Sequence, residues 1–377
     1  MPLPSARPYT NWLLLPPYDP SKGCHFWSES ASFPLLLENL RRHAEIKTVG
    51  RSRFPGPLNK KNALWKEYRN FLRQALSNFE AAITVPNRSA CLLYYYAMLN
   101  FAKAELLSTI PGNITGKFVG HGLSFSPSRA KSVAGDVLTV KDGVFPWLYE
   151  ARTGHKIAIG TRISVKRLLA QIPEIATQIS DAKLGECQVA SVHHMIAMDA
   201  DKSWTVLLMD GTVTGTGRTE KFLLKHFREV EVPPNWRDHF AMSRRRLNKV
   251  TLFESIATCP KSASGNLDID GTFGLTYKIR EILGMRTSEH MDAFICPSLY
   301  KSKMLSMPAS LARYAITYYA SSLVRYKPSV FDLQISPEQA YMFDAIAREC
   351  ALPMLIDTLA GLEGEDQFFF AAGAFRN

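Results

Sequence analysis

The sequence has few of the features that tie a chain to a membrane, a disulfide framework or a metal. Its six cysteines are dispersed and form no Cys-x-x-Cys pair, which argues against a disulfide scaffold and a zinc ribbon. No apolar run approaches the roughly 20 residues that cross a membrane. The first residues also lack the basic, apolar and small-residue order of a signal peptide. These absences predict a cytoplasmic protein with no membrane partner and no bound metal.

Familiar catalytic motifs are missing as well. The chain has no Gly-x-x-x-x-Gly-Lys phosphate loop, no His-Glu-x-x-His zinc helix and no Gly-x-Ser-x-Gly nucleophile elbow. The glycine-rich residues 211–221 match no phosphate-binding fingerprint and are more typical of a flexible turn. His193 and His194 would point to opposite faces of a strand, so at most one could join a given metal site. We therefore predict no cofactor.

What the chain does have is a globular composition with an excess of positive charge. Of its 377 residues, 46% are hydrophobic and 21% are charged, which is enough to build a core in two domains or in one domain with insertions. The net charge is +11. A basic surface attracts polyanions, so nucleic acid or an acidic protein is a candidate partner.

The positive charge is concentrated in two regions. Residues 41–73 contain ten Lys or Arg against two acidic residues, and residues 214–249 contain nine against four. Solvated helix faces would explain both regions equally well. If they bind nucleic acid, the candidate contacts are Lys60 and Lys61 in the first region and Arg244, Arg245, Arg246 and Lys249 in the second.

Two consecutive helices are predicted near the start of the chain. Residues 1–58 are proline-rich and read as an irregular arm with one short apolar helix. From residue 59 onward, apolar side chains recur every three or four positions, and Pro86 separates this helix from a second one at residues 88–107. The short turn predicts an antiparallel helical hairpin within residues 59–115.

The second of these helices is apolar on both faces and contains three consecutive tyrosines. Such a helix lies inside a domain, where tyrosines act as large packing bodies whose hydroxyls need partners. Lys103 can lay its alkyl stem on apolar surface, or it can hold a phosphate or a catalytic carboxylate.

The middle of the chain, residues 116–300, changes to short β-type runs. The sequence Lys-Asp-Gly at 141–143 and the sequence Ala-Asp-Lys at 200–202 both predict hairpin turns. A helix is predicted at about 164–180. Residues 301–377 become helical again, with a second tyrosine-rich helix that ends at Pro328 and a helix that starts at Ser336. We expect the two tyrosine-rich helices to meet, which gives an α+β fold: a mainly helical core with an inserted β-rich middle region.

Four sequence blocks carry a resemblance to a known family. The blocks LLYYYAMLNFAKAELL, GHGLSF, DGVFPWL and YYASSLVRYKPSVF occur in this order and resemble the YaaC-like proteins, a bacterial group whose helical part looks like the HEPN superfamily. The resemblance spans about residues 61–359. It implies a helical-hairpin core in a cytoplasmic prokaryotic protein, a homodimer by analogy with HEPN folds, and a setting in stress or antiviral defence.

In HEPN relatives that cleave RNA, the ribonuclease site contains an arginine and a histidine about one and a half turns apart on one helix. None of the nine histidines here has an arginine five to seven positions before it. Two hypotheses stay open. The first is a non-enzymatic HEPN-like subunit that binds nucleic acid or a protein. The second is an enzyme acting on RNA or a nucleotide through a dispersed site, with His121, Lys103 and Arg325 as the candidate residues.

Overall fold

The chain folds into two compact units, seen in a computed structural model. The structure describes residues 3–14, 24–28, 33–116, 118–126, 132–210, 219–233, 250–262, 264–266, 268–283, 285–287, 293–295, 299, 305, 307–329 and 336–370. The sheet unit comprises residues 1–21 and 188–306, and the helical unit comprises residues 22–187 and 307–377.

Helices and strands follow one another in short groups along the described part of the chain. The helices are α1 (Phe33–Glu45), α2 (Lys47–Ser52), α3 (Leu58–Thr84), α4 (Asn87–Thr109), α5 (Pro111–Ile114), α6 (Val144–Thr153), α7 (Val165–Leu169), α8 (Ala176–Asp181), α9 (Thr219–His226), α10 (Ile269–Leu283), α11 (Ala309–Tyr326), α12 (Pro337–Glu349) and α13 (Ala351–Glu363). The strands are β1 (Asn11–Leu14), β2 (Cys24–Ser28), β3 (His121–Ser124), β4 (Val137–Gly143), β5 (Arg162–Ser164), β6 (Ala190–Met198), β7 (Lys202–Asp210), β8 (Phe227–Val230), β9 (Val250–Ser255), β10 (Cys259–Pro260), β11 (Met285–Thr287), β12 (Ala293–Ile295) and β13 (Asp366–Phe370). The predicted α+β class is confirmed.

The helical unit is built on the hairpin of α3 and α4. The apolar stripe of α3 is buried, and Phe79 lies edge-on to Tyr94 with ring centroids 5.1 Å apart. Because residues 85–86 form the whole connection, the two helices run back along each other as the sequence predicts. The expected meeting of the two tyrosine-rich helices also occurs: the ring of Tyr95 in α4 lies 5.3 Å from that of Tyr318 in α11.

A small antiparallel sheet of the order β3-β4-β5 belongs to the helical unit. The predicted turn at residues 141–143 is wrong, because β4 runs through Gly143 and pairs it with His121. Gly143 then serves as the residue before α6, at a φ of 137° that favours glycine. A Cβ at Gly143 would collide with the Gly120 carbonyl oxygen.

The helix predicted at 164–180 is interrupted. Pro173 begins a short 3-10 turn between α7 and α8, since proline lacks the N–H that a continuous helix needs. The predicted start at Ser336 is confirmed: the Ser336 hydroxyl accepts a hydrogen bond of 3.3 Å from the backbone N–H of Gln339.

The sheet unit is an antiparallel sheet with the strand order β11-β12-β6-β7-β9-β8, to which β1 and β10 add at β6 and β7. The hairpin predicted around residues 200–202 is confirmed as the turn between β6 and β7. Strand β7 is apolar on both faces. Leu207 packs with Leu223 of α9 and Ile279 of α10, whereas Trp204 packs with residues of the N-terminal segment. His193 is exposed and His194 is buried, as a strand requires.

The residues read as an irregular arm, 1–58, contain β1, β2, α1 and α2. Strand β1 pairs with β6 in the sheet unit, and β2 pairs in parallel with β13 in the helical unit. The observed units also divide the middle region at residue 187, because residues 116–187 pack on the helices around α4. These pairings join residues more than 180 positions apart, which no local sequence pattern encodes.

Candidate functional site

Three candidate residues from separate parts of the sequence lie on one face of the helical unit. We call this face the tyrosine-cation cluster. Its members are Tyr95, Tyr96 and Lys103 of α4, His121 of β3, and Tyr318, Arg325 and Tyr326 of α11. The cluster forms because α4 and α11 pack together and β3 begins beside both of them.

Helix periodicity aligns the cluster along each helix. Tyr96 and Lys103 are seven positions apart in α4, and Tyr318 and Arg325 are seven positions apart in α11. Residues at this spacing lie on the same side of a helix, about two turns apart. Each helix therefore presents a tyrosine and a cation along one side.

Arg325 lies at the exposed end of α11 among tyrosine side chains. Its guanidinium donates to the hydroxyl of Tyr96 over 2.9 Å and to that of Tyr326 over 2.6 Å. Its Cζ atom lies 4.7 Å from the ring centroid of Tyr326, a cation-π contact. Among the described residues, Arg325 forms no ion pair, so its charge remains available to an anion.

His121 is exposed at one edge, and its ring lies against tyrosines. The ring centroids of His121 and Tyr318 are 5.1 Å apart, and those of His121 and Tyr95 are 6.4 Å apart. Burial lowers the pKa of His121 below its ordinary value, and the positive charges of Arg325 and Lys103 lower the pKa further, against a hydrogen bond to the backbone of Leu123 that raises it. The imidazole is therefore neutral near pH 7.

Lys103 is half-buried and its nitrogen lies 5.7 Å from the ring centroid of Phe71 in α3. Burial lowers the pKa of this lysine. In the part of the chain that the structure describes, no carboxylate pairs with it. An unpaired cation in a half-buried position gains more from an anionic ligand than a fully solvated lysine does, because less water screens the interaction.

Tyr95 contributes a buried hydroxyl group to the cluster. The residue is 2% exposed, and its hydroxyl has no hydrogen-bond partner among the described residues. Burial raises the pKa of this hydroxyl, so it remains protonated and can donate a hydrogen bond.

A buried ion network lies elsewhere on the same two helices. The guanidinium of Arg152 in α6 binds Glu105 of α4 through two hydrogen bonds of 3.0 and 2.6 Å. Arg313 of α11 binds Asp357 of α13 over 2.6 Å and Glu174 over 2.7 Å. Glu105 and Arg313 are buried and their partners are mostly buried, so these ion pairs fix where α4 and α11 sit against their neighbours.

The two predicted basic regions do not join the tyrosine-cation cluster in the described part of the chain. In the first, Glu45 pairs with Arg69 and Arg73, and Glu80 pairs with Arg41, so part of its charge is neutralised. Lys60 and Lys61 lie in the first turn of α3. The predicted contacts Arg244, Arg245, Arg246 and Lys249 lie outside the described residues.

Lys103, His121 and Arg325 are candidates from the sequence alone, whereas the tyrosines are predicted there only as packing bodies. The available signal was the seven-residue spacing of tyrosine and cation in both helices. The ion network carried no comparable signal, because its members come from five separate elements.

Comparison with known protein families assigns the chain to one of them. A family model described as "YaaC-like Protein" matches residues 48–343, which is most of the chain. The chain therefore belongs to the YaaC-like family, as the four sequence blocks indicated. No curated protein and no solved structure matches it. Within the described ranges, every helix is too short or too polar to cross a membrane.

Proposed function

We propose that the protein binds single-stranded nucleic acid, without cleaving it, through the tyrosine-cation cluster of the helical unit. The observation that carries the proposal is the convergence of Lys103, His121 and Arg325 from three separate elements. Two of them are cations without a carboxylate partner among the described residues. Phosphates of a nucleic acid supply the negative charge that such a face lacks.

The tyrosines support a single strand over a duplex. Tyr326 is 58% exposed and Tyr96 is half-buried, so both rings have a face within reach of a ligand. Proteins that bind single strands combine a basic track with aromatic rings on which bases stack, each stack contributing about 1–3 kcal/mol. A paired strand keeps its bases inside the helix and offers the rings no partner.

Binding of a fluorescent single-stranded RNA, followed by anisotropy, tests this proposal. We expect Lys103→Gln and Arg325→Gln each to weaken binding about fivefold, as the loss of one phosphate contact does. Lys278→Gln is the matched control, because Lys278 is an exposed lysine of α10 in the sheet unit. Equal weakening by all three changes would show that only net charge matters and would overturn the proposal.

Cleavage of the bound RNA is the second candidate function, and one observation favours it. His121 is neutral near pH 7 and lies beside two cations. A neutral imidazole can take the proton of a ribose 2′-hydroxyl, while Lys103 and Arg325 stabilise the charge on the phosphate. Gel analysis of the RNA after incubation separates the two functions. Intact RNA supports binding alone, whereas cleavage that His121→Gln abolishes supports the enzyme.

The wider setting of the proposal rests on the resemblance to HEPN proteins. On that basis the protein is a HEPN-like subunit in the cytoplasm, acting as a homodimer in a prokaryotic stress or antiviral system, with a protein partner as its other candidate ligand. Light scattering coupled to gel filtration tests the dimer. A mass equal to one chain would contradict it.

A further inference from the structure

A surface pocket of about 430 Å³ opens beside the small sheet of the helical unit. Its volume lies in the range of about 300–1,000 Å³ typical of small-molecule sites. The residues that the argument uses are Asn113 of α5, Phe118, Gly120, Asp142 and Gly143 of β4, and Trp147 of α6. Two of the family sequence blocks, GHGLSF and DGVFPWL, therefore contribute to one pocket.

Phe118 is the least expected member of the pocket. Its side chain is 100% exposed, whereas burying a phenylalanine gains about 1.5–3 kcal/mol. Trp147 of the same pocket is half-buried. Two aromatic side chains lining one pocket suit a flat ring, which can stack on one and touch the edge of the other.

The polar side chains of the pocket are a carboxylate and an amide. Asp142 and Asn113 are both exposed, and neither side chain forms a hydrogen bond to the described residues. The negative charge of Asp142 repels a phosphate. The pocket therefore suits the base of a nucleotide and not its phosphate, and a carboxylate accepts hydrogen bonds from N–H groups.

Backbone geometry connects the pocket to the tyrosine-cation cluster. The register of β3 and β4 pairs His121 with Gly143, so the two sites share one rung of the sheet. Gly122 has a φ of 79°, and a Cβ there would lie 2.6 Å from the backbone nitrogen of Phe145. Glycine at 122 and 143 brings the strand close to the start of α6, and Gly120 and Gly143 leave bare backbone at the pocket.

We propose that this pocket binds a guanine base. Phe118 and Trp147 contact the ring, and the Asp142 carboxylate accepts hydrogen bonds from N1–H and the N2 amino group. Guanine is chosen because it presents these two donors side by side, whereas adenine, cytosine and uracil each offer one donor group at the corresponding edge. The proposal rests on the proposed function and deepens it, because His121 of the cluster pairs with Gly143 of the pocket, so one bound nucleotide would extend from the pocket toward the cluster.

Saturation-transfer NMR with guanosine and adenosine tests the pocket without any phosphate. We expect guanosine to bind more tightly than adenosine. Phe118→Ala and Asp142→Asn should each weaken guanosine binding about tenfold, the effect of losing a stacked ring or a charge-assisted hydrogen bond. Tyr341→Ala is the matched control, since Tyr341 is an exposed aromatic residue on α12. Because Phe118 is fully exposed, its removal leaves the fold intact.

The outcomes separate the pocket from the phosphate site. Equal binding of the two nucleosides, or guanosine binding that neither pocket variant changes, overturns the guanine pocket. Guanosine binding without RNA binding keeps the pocket and overturns the proposed function. RNA binding without guanosine binding keeps the proposed function and overturns the guanine pocket.

Discussion

The two units bury charge in different ways. In the sheet unit, Glu254 is 2% exposed and pairs with two arginines, Arg7 and Arg228, whose side chains are 20% and 37% exposed. In the helical unit, Glu105 is 5% exposed and its partner Arg152 is 13% exposed. Each side of the main sheet carries an apolar cluster, with Leu207 on one face and Trp204 on the other.

The difference shows that the interior of the helical unit depends on ion pairs of defined geometry. Apolar packing tolerates small shifts, whereas buried ion pairs need defined geometry. In the helical unit those pairs hold α4 and α11, the helices that also carry the tyrosine-cation cluster. In the sheet unit, the two described arginine partners of Glu254 keep 20% and 37% of their side chains exposed. The proposed binding face is therefore carried by two helices whose positions the ion pairs define.

The largest expected effect comes from breaking the buried pair. Glu105→Ala leaves the Arg152 guanidinium inside the unit without its carboxylate, so we expect the free energy of unfolding to fall by about 4 kcal/mol. Urea denaturation measures this loss.

The double variant Glu105→Leu with Arg152→Met is the control for that experiment. It removes both charges and should lose less than the single variant, because no charge is left unpaired. If the double variant loses as much free energy of unfolding or more, packing and not charge determines the stability at this position.

A smaller effect is expected from the corresponding change in the sheet unit. Arg228→Met leaves Glu254 with Arg7, whose backbone N–H donates to it over 2.9 Å and whose guanidinium Nε lies 3.9 Å from it. Because Arg228 is also partly solvated, we expect a loss of about 1 kcal/mol in the same urea experiment. A loss equal to that of Glu105→Ala would erase the contrast between the units.

The pH dependence of RNA binding sharpens the comparison through two histidines. The pKa of His121 is lowered, so this residue is neutral at pH 7 and gains charge as the pH falls. We expect affinity for RNA to rise up to about fivefold between pH 7 and pH 5, and His121→Gln to flatten the curve.

His226 of the sheet unit is the matched control for that titration. Burial lowers its pKa too, and Lys225 and Lys278 lower the pKa further. His226→Gln should leave the pH curve of RNA binding unchanged. If His226→Gln flattened the curve, RNA would bind near His226 and not at the tyrosine-cation cluster.

The smallest effect is expected at the surface of the helical unit. Hydrogen bonds from Arg73 and Arg69 lower the pKa of Glu45 to about 2 from its ordinary 4.5. Its stabilising contribution is therefore complete above about pH 4.5 and is lost as the pH falls toward 2. The melting temperatures of the wild type and Glu45→Gln should differ slightly at pH 6, and this difference should shrink as the pH falls from 4.5 toward 2. A constant difference would show that Glu45 acts through packing.

Local signals in the sequence were enough for the helical frame. The spacing of Tyr68, Leu72 and Phe79 predicted the buried stripe of α3, and the Ser336-Pro337 pair predicted the start of α12. The meeting of α4 and α11 followed from their shared tyrosines. Periodicity and capping act over a few residues, so a single sequence contains them.

Contacts between distant segments could not be predicted in the same way. The guanine pocket joins α5, residues 118–120, the end of β4 and α6, and its geometry depends on Gly143 at a φ of 137°. Lys-Asp-Gly is typical of a hairpin turn, but here the strand continues and the glycine leads into α6. Tertiary packing decides between these two uses of the same residues.

The salt dependence of RNA binding tests the central claim most directly. The logarithm of affinity for a single strand falls with the logarithm of salt concentration by about 0.7 for each phosphate that the protein neutralises. The double variant Lys103→Gln with Arg325→Gln should therefore reduce the slope by about 1.4 relative to the wild type. Parallel slopes for the two proteins would contradict the claim, because they would show that the tyrosine-cation cluster does not contact the nucleic-acid backbone.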